Sequence, residues 1–406
     1  MTFDEFGLSD TISEAISYMG YEKATPIQEK TIPAIMQGKD IVASAQTGTG
    51  KTAAFILPVL DKIINHSKGF TSTLILAPTR ELAIQIDQQV QGFAYFTDVH
   101  SIALYGGTDG AEWGQQKKSL TRGAEIIVAT PGKLIAHLNM GYVKFEKIEH
   151  FILDEADRML DIGFYEDILR IESYLPKKRQ TLMFSATMPP EIRKLASRIL
   201  DNPVEISTAI AKPPENILQA VYLLHEEQKI PLINRLIKDK PDYKSILIFS
   251  STKKKVTDIV RALKKDNFNT EGISSDLEQK ERQAVLLRFK SRETRILVAT
   301  DVLSRGIDIQ DINLVINFDV PNDAEDYVHR IGRTARAEKD GVAITFVTTS
   351  EIRDIHKIEK LIEREIIKLP PPPELGKGPE WKESRKAPSH DRFRRKHRQP
   401  GKRQGK

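Results

Sequence analysis

Residues 40–60 read "DIVASAQTGTGKTAAFILPVL". The apolar run at Ile41–Val42–Ala43 has the composition of a strand buried on both faces. "AAFILPVL", 53–60, is helix-like. Between them "AQTGTGKT", 45–52, nearly fits the phosphate-binding pattern G-x-x-x-x-G-K-[ST], with Ala45 in place of the first glycine. Gly48 and Gly50 let backbone N–H groups curve around phosphate oxygens, and the following helix N-terminus adds favourable electrostatics. Lys51 would reach the β- and γ-phosphates of a nucleotide, and Thr52 would ligate Mg²⁺. The bland reading is a flexible Gly-Thr turn, but the strand before it and the helix after it favour the phosphate site.

The strand type recurs outward from this unit. "TLILAPT", "EIIVATP", "HFILDEAD" and "QTLMFSAT" alternate with amphipathic segments, the pattern of a doubly wound α/β domain with a parallel sheet. It breaks at "STAIAKPPEN", 207–216, which reads as a linker. It resumes in "QAVYLLH", "SILIFSST", "TRILVATD", "NLVINFD" and "VAITFVTT". The halves echo one another: "TLILAPT" resembles "SILIFSST" and "EIIVATP" resembles "RILVATD", at nearly equal offsets. Tandem copies of one unit explain this, as does chance likeness among apolar strands. The expected domains are 1–207 and 217–368, joined by a linker at 208–216. A Pro-rich, then basic, disordered tail follows at 369–406.

At 406 residues, 40% hydrophobic and 29% charged, the chain has the composition of a globular protein of two domains. No segment is apolar enough to span a bilayer, and "MTFDEFGLSD" lacks the features of a signal peptide, so a cytoplasmic protein is expected. The lack of cysteine removes disulfide partners and thiol chemistry. The net charge of +5 is unevenly spread: residues 376–406 hold 12 Lys and Arg against 3 Asp and Glu, which leaves −4 on the rest. Such a tail suits polyanions such as nucleic acid, or serves only to keep the chain soluble.

In "HFILDEADRML", 150–160, an apolar strand runs straight into Asp154, Glu155 and Asp157. Acidic residues suit the first turn of a helix. A carboxylate pair at the end of a buried strand also suits a metal or phosphate site. The glycine-rich loop decides between them: Asp154 is placed to hold Mg²⁺, and Glu155 to orient or deprotonate the attacking water. In "HRIGRTAR", 329–336, Arg330, Arg333 and Arg336 recur every third residue, which on a helix puts them on one face. Arginines arriving from a second domain can stabilise a transferring phosphoryl group.

Together these motifs resemble those of DEAD-box ATP-dependent RNA helicases of the bacterial type, superfamily 2, enzymes of two RecA-like domains. "GYEKATPIQ" (20–28) is similar to the family's adenine-reading motif, and "PTREL" (78–82), "TPGK" (130–133), "SAT" (185–187) and "ATDVLSRGIDI" (299–309) to further motifs in the family's order. The resemblance covers Phe3 to Lys368. It implies tandem RecA-like doubly wound domains that bind ATP and Mg²⁺ and separate short RNA duplexes locally and non-processively, or remodel ribonucleoprotein. An ATP-gated RNA clamp is the alternative. Ribosomal precursor or decay complexes are the partners it suggests.

Carried over by resemblance, Gln28 would read the adenine edge while Tyr21 stacks on its ring, with Phe3 as buttress. Ala45, Gln46, Thr47, Gly48, Thr49, Gly50, Lys51 and Thr52 would wrap the phosphates, with Thr52 and Asp154 on the metal, and Asp308 would approach the ribose. Lys51, Glu155, Arg333 and Arg336 would be catalytic, the two arginines as fingers. Asp157, Ser185, Thr187 and His329 would couple the nucleotide to domain closure. Thr79, Arg80, Gly107, Thr130 and Gly132, with Gln279, Arg282 and Thr300 from the second domain, would contact RNA, mainly at phosphates and 2′-hydroxyls. Among the departures from the family, Ala24 stands where proline is usual, "SSD" (274–276) replaces a common His-Gly-Asp, Lys133 a common Arg, and Ser304 a common Ala.

Overall fold

A computed structural model describes residues 1–45, 49–66, 69–107, 110–207, 216–274, 276–300, 312–321, 323–334 and 341–381. The expectations placed on Gln46, Thr47, Gly48, Ser304, Asp308, Arg336, the linker segment 208–215 and the tail from 382 lie outside the described residues.

Among the described residues two parallel sheets of seven strands organise the chain. The first comprises β1 (Ile41–Ser44), β2 (Thr73–Leu76), β3 (Ser101–Leu104), β4 (Ile126–Ala129), β5 (His150–Leu153), β6 (Gln180–Ser185) and β7 (Val204–Ser207), in the order β3-β4-β2-β5-β6-β1-β7. The second comprises β8 (Ile217–Leu223), β9 (Ile246–Ser250), β10 (Thr270–Ile273), β11 (Ile296–Thr300), β12 (Leu314–Asn317), β13 (Gly341–Val347) and β14 (Ile367–Leu369), in the order β10-β11-β9-β12-β13-β8-β14. Position by position the orders coincide, with β1 answering to β8 and β2 to β9. The two sequence echoes fall on β2 with β9 and β4 with β11, so they mark two copies of one RecA-like unit rather than chance likeness among strands.

Continuous apolar runs form these strands because helices cover both faces of each sheet. Side chains alternate between the faces. Ile75, Ile152 and Phe184 join one core cluster with Phe55 of the helix Lys51–His66. Leu74, Phe151 and Met183 join the other with Met159 of the helix Ala156–Ile162. Parallel pairing brings the C-terminal ends of all strands of a sheet to one side, where open α/β sheets bind ligands. The loops after β1, β2, β3, β4 and β5 therefore meet there.

The expected tail is corrected at its start. Ile367–Leu369 pairs parallel to β8 as an edge strand. Gln228 Nε2 donates to the Leu375 carbonyl at 2.8 Å, Arg235 pairs with Glu374 at 3.0 Å, and Lys368 lies over the Trp381 ring at 5.4 Å. Residues 369–381 thus pack on the second domain. Prolines 370–373 cannot continue a helix, but they can follow an edge strand, where no partner needs their missing N–H. No helix among the described residues is long and apolar enough to cross a membrane.

Candidate functional site

Lys51 is the first residue of the helix Lys51–His66. It is 5% exposed, and its ammonium makes no hydrogen bond among the described residues. A buried cation in this state suits an anion such as a phosphate. Gly50 has φ +90°, and a Cβ there would stand 2.5 Å from Gln28 Nε2 and 3.1 Å from Thr25 Oγ1; glycine is required both by conformation and by space.

Gln28 lies against this turn. Its Oε1 accepts from Thr25 N at 2.8 Å and its Nε2 donates to Gly50 O at 3.1 Å, which joins the helix Pro26–Met36 to the phosphate loop. One carboxamide N–H remains for a base. Tyr21 packs edge-on to Phe3 at 6.1 Å and to Phe93 at 5.4 Å. Phe3 therefore stands where a buttress for Tyr21 is expected.

Asp154 follows β5, its backbone N–H continuing the ladder to Leu76 O at 3.0 Å, and its Oδ1 accepts from Glu155 N at 2.9 Å. Burial pushes the Asp154 carboxyl up to about 6; the Lys51 charge opposes this and the neighbouring Glu155 adds to it. Glu155 is 6% exposed and sits at the N-cap of the helix Ala156–Ile162 with φ +50°. A left-handed glutamate costs about 1–3 kcal/mol. Its side chain makes no capping bond, so it occupies the cap position without doing a cap's work. Among the described residues no cluster of three or more His, Asp or Glu side chains could hold a metal ion. Mg²⁺ does not need one, because it keeps several waters and takes one or two carboxylates plus substrate phosphates. A buried carboxylate beside a lysine that makes no hydrogen bond among the described residues is a donor set that fits Mg²⁺ with a polyphosphate.

Asp157 has a different task. Its Oδ2 accepts from Ala186 N at 3.1 Å, Thr187 N at 3.0 Å and Thr187 Oγ1 at 3.1 Å. Ser185 Oγ receives Asp157 N at 3.3 Å and donates to Thr187 O at 2.7 Å. The helix after β5 is thereby tied to the turn after β6. Asp157 and Thr187 line a cavity of about 600 Å³, whose opposite wall carries Asp323, Asp326 and His329 from the second domain. The structure therefore brings together Asp157, Ser185, Thr187 and His329, which no local sequence spacing relates.

The arginine motif is corrected. The helix Ala324–Ile331 ends before Arg333, so Arg330 and Arg333 do not share a helical face. Arg330 is 3% exposed, donates to Asn317 Oδ1 at 3.2 Å and Asp319 O at 3.0 Å, and lies over the Phe249 ring at 5.2 Å; it braces the second sheet. Arg333 sits in the turn beyond Gly332, pinned by Ile312 N to Arg333 O at 3.3 Å and by Thr334 Oγ1 to Ile312 O at 2.5 Å.

The second unit differs from the first at the same register positions. Phe318 N donates to Phe249 O at 2.8 Å, as Asp154 N does to Leu76 O, so Asp319 stands where Glu155 stands in the first unit. Lys229 opens the helix after β8 as Lys51 opens the helix after β1. Here, however, the lysine bonds Asp319 directly at 3.2 Å, and Lys255 does so at 2.6 Å. Burial pushes the Asp319 carboxyl up, but Lys255, Ser251 and Lys229 outweigh it and hold it well below the usual range. The lysine's charge is thus met by a carboxylate of its own domain, and the apolar Phe318 stands where Asp154 stands in the first unit. Sequence reading missed Lys229 and Asp319; the available signal was their alignment with Lys51 and Glu155.

The remaining candidates lie at strand ends. Thr79 caps the helix Arg80–Phe93, accepting from Leu82 N at 3.3 Å. Arg80 Nη1 donates to Gly106 O at 3.2 Å and Gly107 O at 3.4 Å and lies over Tyr105 at 4.2 Å. Thr130 holds the N-cap position of the helix Pro131–Asn139 but makes no capping bond, its hydroxyl donating to Leu104 O at 3.4 Å; nothing lies within 4 Å of a Cβ built on Gly132, which leaves room for a ligand's backbone. In the second domain Thr300 ends β11 and Gln279 begins the helix Gln279–Lys290. Arg282 bonds Glu81 of the first domain at 3.2 Å, a partner that the sequence reading did not name.

Residues 25–195 match the family model described as DEAD/DEAH box helicase, and residues 228–338 match the helicase conserved C-terminal domain. The chain is 44% identical over 372 residues to the DEAD-box ATP-dependent RNA helicase CshA of Geobacillus kaustophilus, covering 91% of this chain and 79% of that protein. Among solved structures, S. cerevisiae Dbp5 bound to RNA and ADP BeF3 is similar with a TM-score of 0.81 at 31% identity, covering 91% of this chain and 95% of that one. A DEAD box protein from Methanococcus jannaschii gives 0.54 at 39% identity, covering 91% and 99%.

Proposed function

This chain belongs to the DEAD-box helicase family, and from that premise we propose how its residues divide the work of separating RNA strands with ATP. It is an ATP-dependent RNA helicase and an RNA-dependent ATPase that acts on RNA. Its relatives are named as helicases, which favours strand separation over a clamp that only holds RNA.

The observation that carries the proposal is the network from Asp157 to Ala186 and Thr187 beside a cavity walled by His329. In the proposed cycle Tyr21, Phe3 and Gln28 hold the base, and the loop from Ala45 to Thr52 holds the phosphates. Thr52 and Asp154 would hold Mg²⁺, which when bound neutralises phosphate charge. Glu155 takes up the proton of the attacking water, and Arg333, with Arg336, stabilises charge on the γ-phosphoryl group. RNA runs over Thr79, Arg80, Gly107, Thr130 and Gly132 and on to Gln279, Arg282 and Thr300. Asp157 reports the nucleotide to the second domain through Ser185, Thr187 and His329. Closure bends one RNA strand and releases its complement; loss of phosphate reopens the cleft.

The high TM-score to a relative bound to RNA and ADP BeF3 supports reading the described arrangement as the closed one. At equal coverage a more identical relative scores lower, as two similar domains in a different relative placement would. The proposed domains are 1–207 and 217–381. The cytoplasm, where ATP and RNA meet, is the proposed location.

The discriminating variant is Asp157→Asn. It keeps the side chain's shape but removes the charge that strengthens the three bonds at one oxygen, and it puts an N–H donor where Oδ1 accepts from Arg158 N at 3.0 Å. Strand displacement is expected to fall by about 5–150-fold, the range of a site-to-site coupling, and by more than ATP turnover falls. Equal losses in both assays would remove Asp157 from the coupling role. Truncation after Trp381 removes the basic segment and spares the packed 369–381. RNA affinity should drop most at low salt, and the slope of log affinity against log salt should flatten. An unchanged slope would assign the tail elsewhere.

A further inference from the structure

Lys133 follows Gly132 in the first turn of the helix Pro131–Asn139, where a cation opposes the helix dipole. Its ammonium lies 4.1 Å from the centre of the Trp113 ring. The indole stacks by its other contact on His137, at 4.1 Å between ring centres and 14° between planes. His137 is fully buried and held at both nitrogens, Nδ1 by the Tyr142 hydroxyl and Nε2 by Gln116 Oε1 at 3.2 Å. Gln116 Oε1 can only accept, so Nε2 carries the proton and Nδ1 accepts from Tyr142. Burial, and after it the Lys133 charge, lowers the imidazole to about 4, so it stays neutral.

The column Lys133–Trp113–His137–Tyr142 joins the helix Gly110–Arg122, which follows the Gly106–Gly107 loop, to the helix that begins at the Thr130–Gly132 turn. Those are the two places where RNA is proposed to cross the first domain. Neither Trp113 nor His137 belongs to a motif singled out in the sequence, and Lys133 was noted only as a departure from arginine.

We propose that Trp113 is a positioning residue for the RNA groove: it sets the Thr130–Lys133 turn against the Gly106–Gly107 loop and holds the Lys133 ammonium ready for the RNA backbone. The inference rests on the proposed RNA path over Thr130 and Gly132. When a phosphate arrives, Lys133 pairs with it while keeping its place over the indole, so the cation–π contact is retained in the bound state and holds the ammonium where the charge is needed.

The full chain carries two tryptophans, so Trp381→Phe leaves Trp113 as the sole indole. Titration with single-stranded oligouridylate and a non-hydrolysable ATP analogue should change its emission, with a midpoint matching binding followed by anisotropy. Unchanged emission through saturation overturns the proposal. Trp113→Ala should raise the RNA concentration for half-maximal ATPase by about 2- to 30-fold, the range of a cation–π contact, with kcat at saturating RNA and the KM for ATP held. Trp113→Phe, which keeps a ring and gives a second measure should the alanine variant not fold, should restore most of the loss. A fall in kcat alone, or equal behaviour of the alanine and phenylalanine variants, overturns it. Thr130→Val separates the two readings. If it weakens RNA use while Trp113→Ala does not, the groove stands and the positioning role falls; if neither does, both fall.

Discussion

Glu155→Gln should bind ATP and RNA as the wild type does and yet turn ATP over about 10²–10⁴-fold more slowly, the usual worth of a positioned general base. The substitution preserves size, and the buried, left-handed cap position is set by backbone packing rather than by the carboxylate's charge. What it removes is the capacity to take a proton from water. Because closure needs only binding, the variant should accumulate a long-lived complex with ATP and RNA, seen as slowed release of a labelled oligonucleotide. Wild-type turnover would end the assignment of Glu155, whereas loss of ATP binding would point to a structural part. Asp154 differs by one residue but should not behave alike: its carboxylate carries the proposed metal contact, so Asp154→Asn should weaken nucleotide binding itself.

Arg333→Ala is expected to reduce RNA-stimulated ATPase by about 10³–10⁵-fold, the contribution of an arginine finger. Lysine should not rescue it, because a point charge cannot reproduce the guanidinium fork. Its neighbour supplies the control. Arg330 is spent on Asn317, Asp319 and the Phe249 face inside the second domain. Arg330→Ala should therefore lower folding stability by about 2–5 kcal/mol, from lost charged hydrogen bonds and an exposed cavity. Arg333→Ala should melt like the wild type. If both variants lose melting temperature equally and activity only in proportion, Arg333 is another brace and not a finger.

The contrast between these two arginines shows where sequence spacing stops being informative. Three arginines at every third residue describe one face only if the helix continues, and it ends at Ile331. A similar limit applies at the tail. Four prolines and a lack of apolar periodicity read as disorder from residue 369, while Gln228, 147 residues away, bonds Leu375 and Lys368 lies over the Trp381 ring. The helix end had a local signal in Gly332, whereas the tail is held by a partner as distant as Gln228, for which no local pattern exists.

What the sequence by itself determined is the run of buried parallel strands and a glycine-rich nucleotide loop; that the two halves copy one unit was settled by their matching strand orders. Buried parallel strands must be apolar along their whole length, and a phosphate turn must carry glycine and lysine at set spacing, so both are written locally. Tertiary structure alone decided which charges stay available. Lys51 and Lys229 open equivalent helices, and Glu155 and Asp319 each lie two residues beyond equivalent strands. Only folding shows that the second lysine lies 3.2 Å from its carboxylate while the first has no hydrogen-bond partner among the described residues. The physical reason is that the electrostatic state of a buried group depends on neighbours brought in by the sheet, and those neighbours lie some ninety to a hundred residues away along the chain.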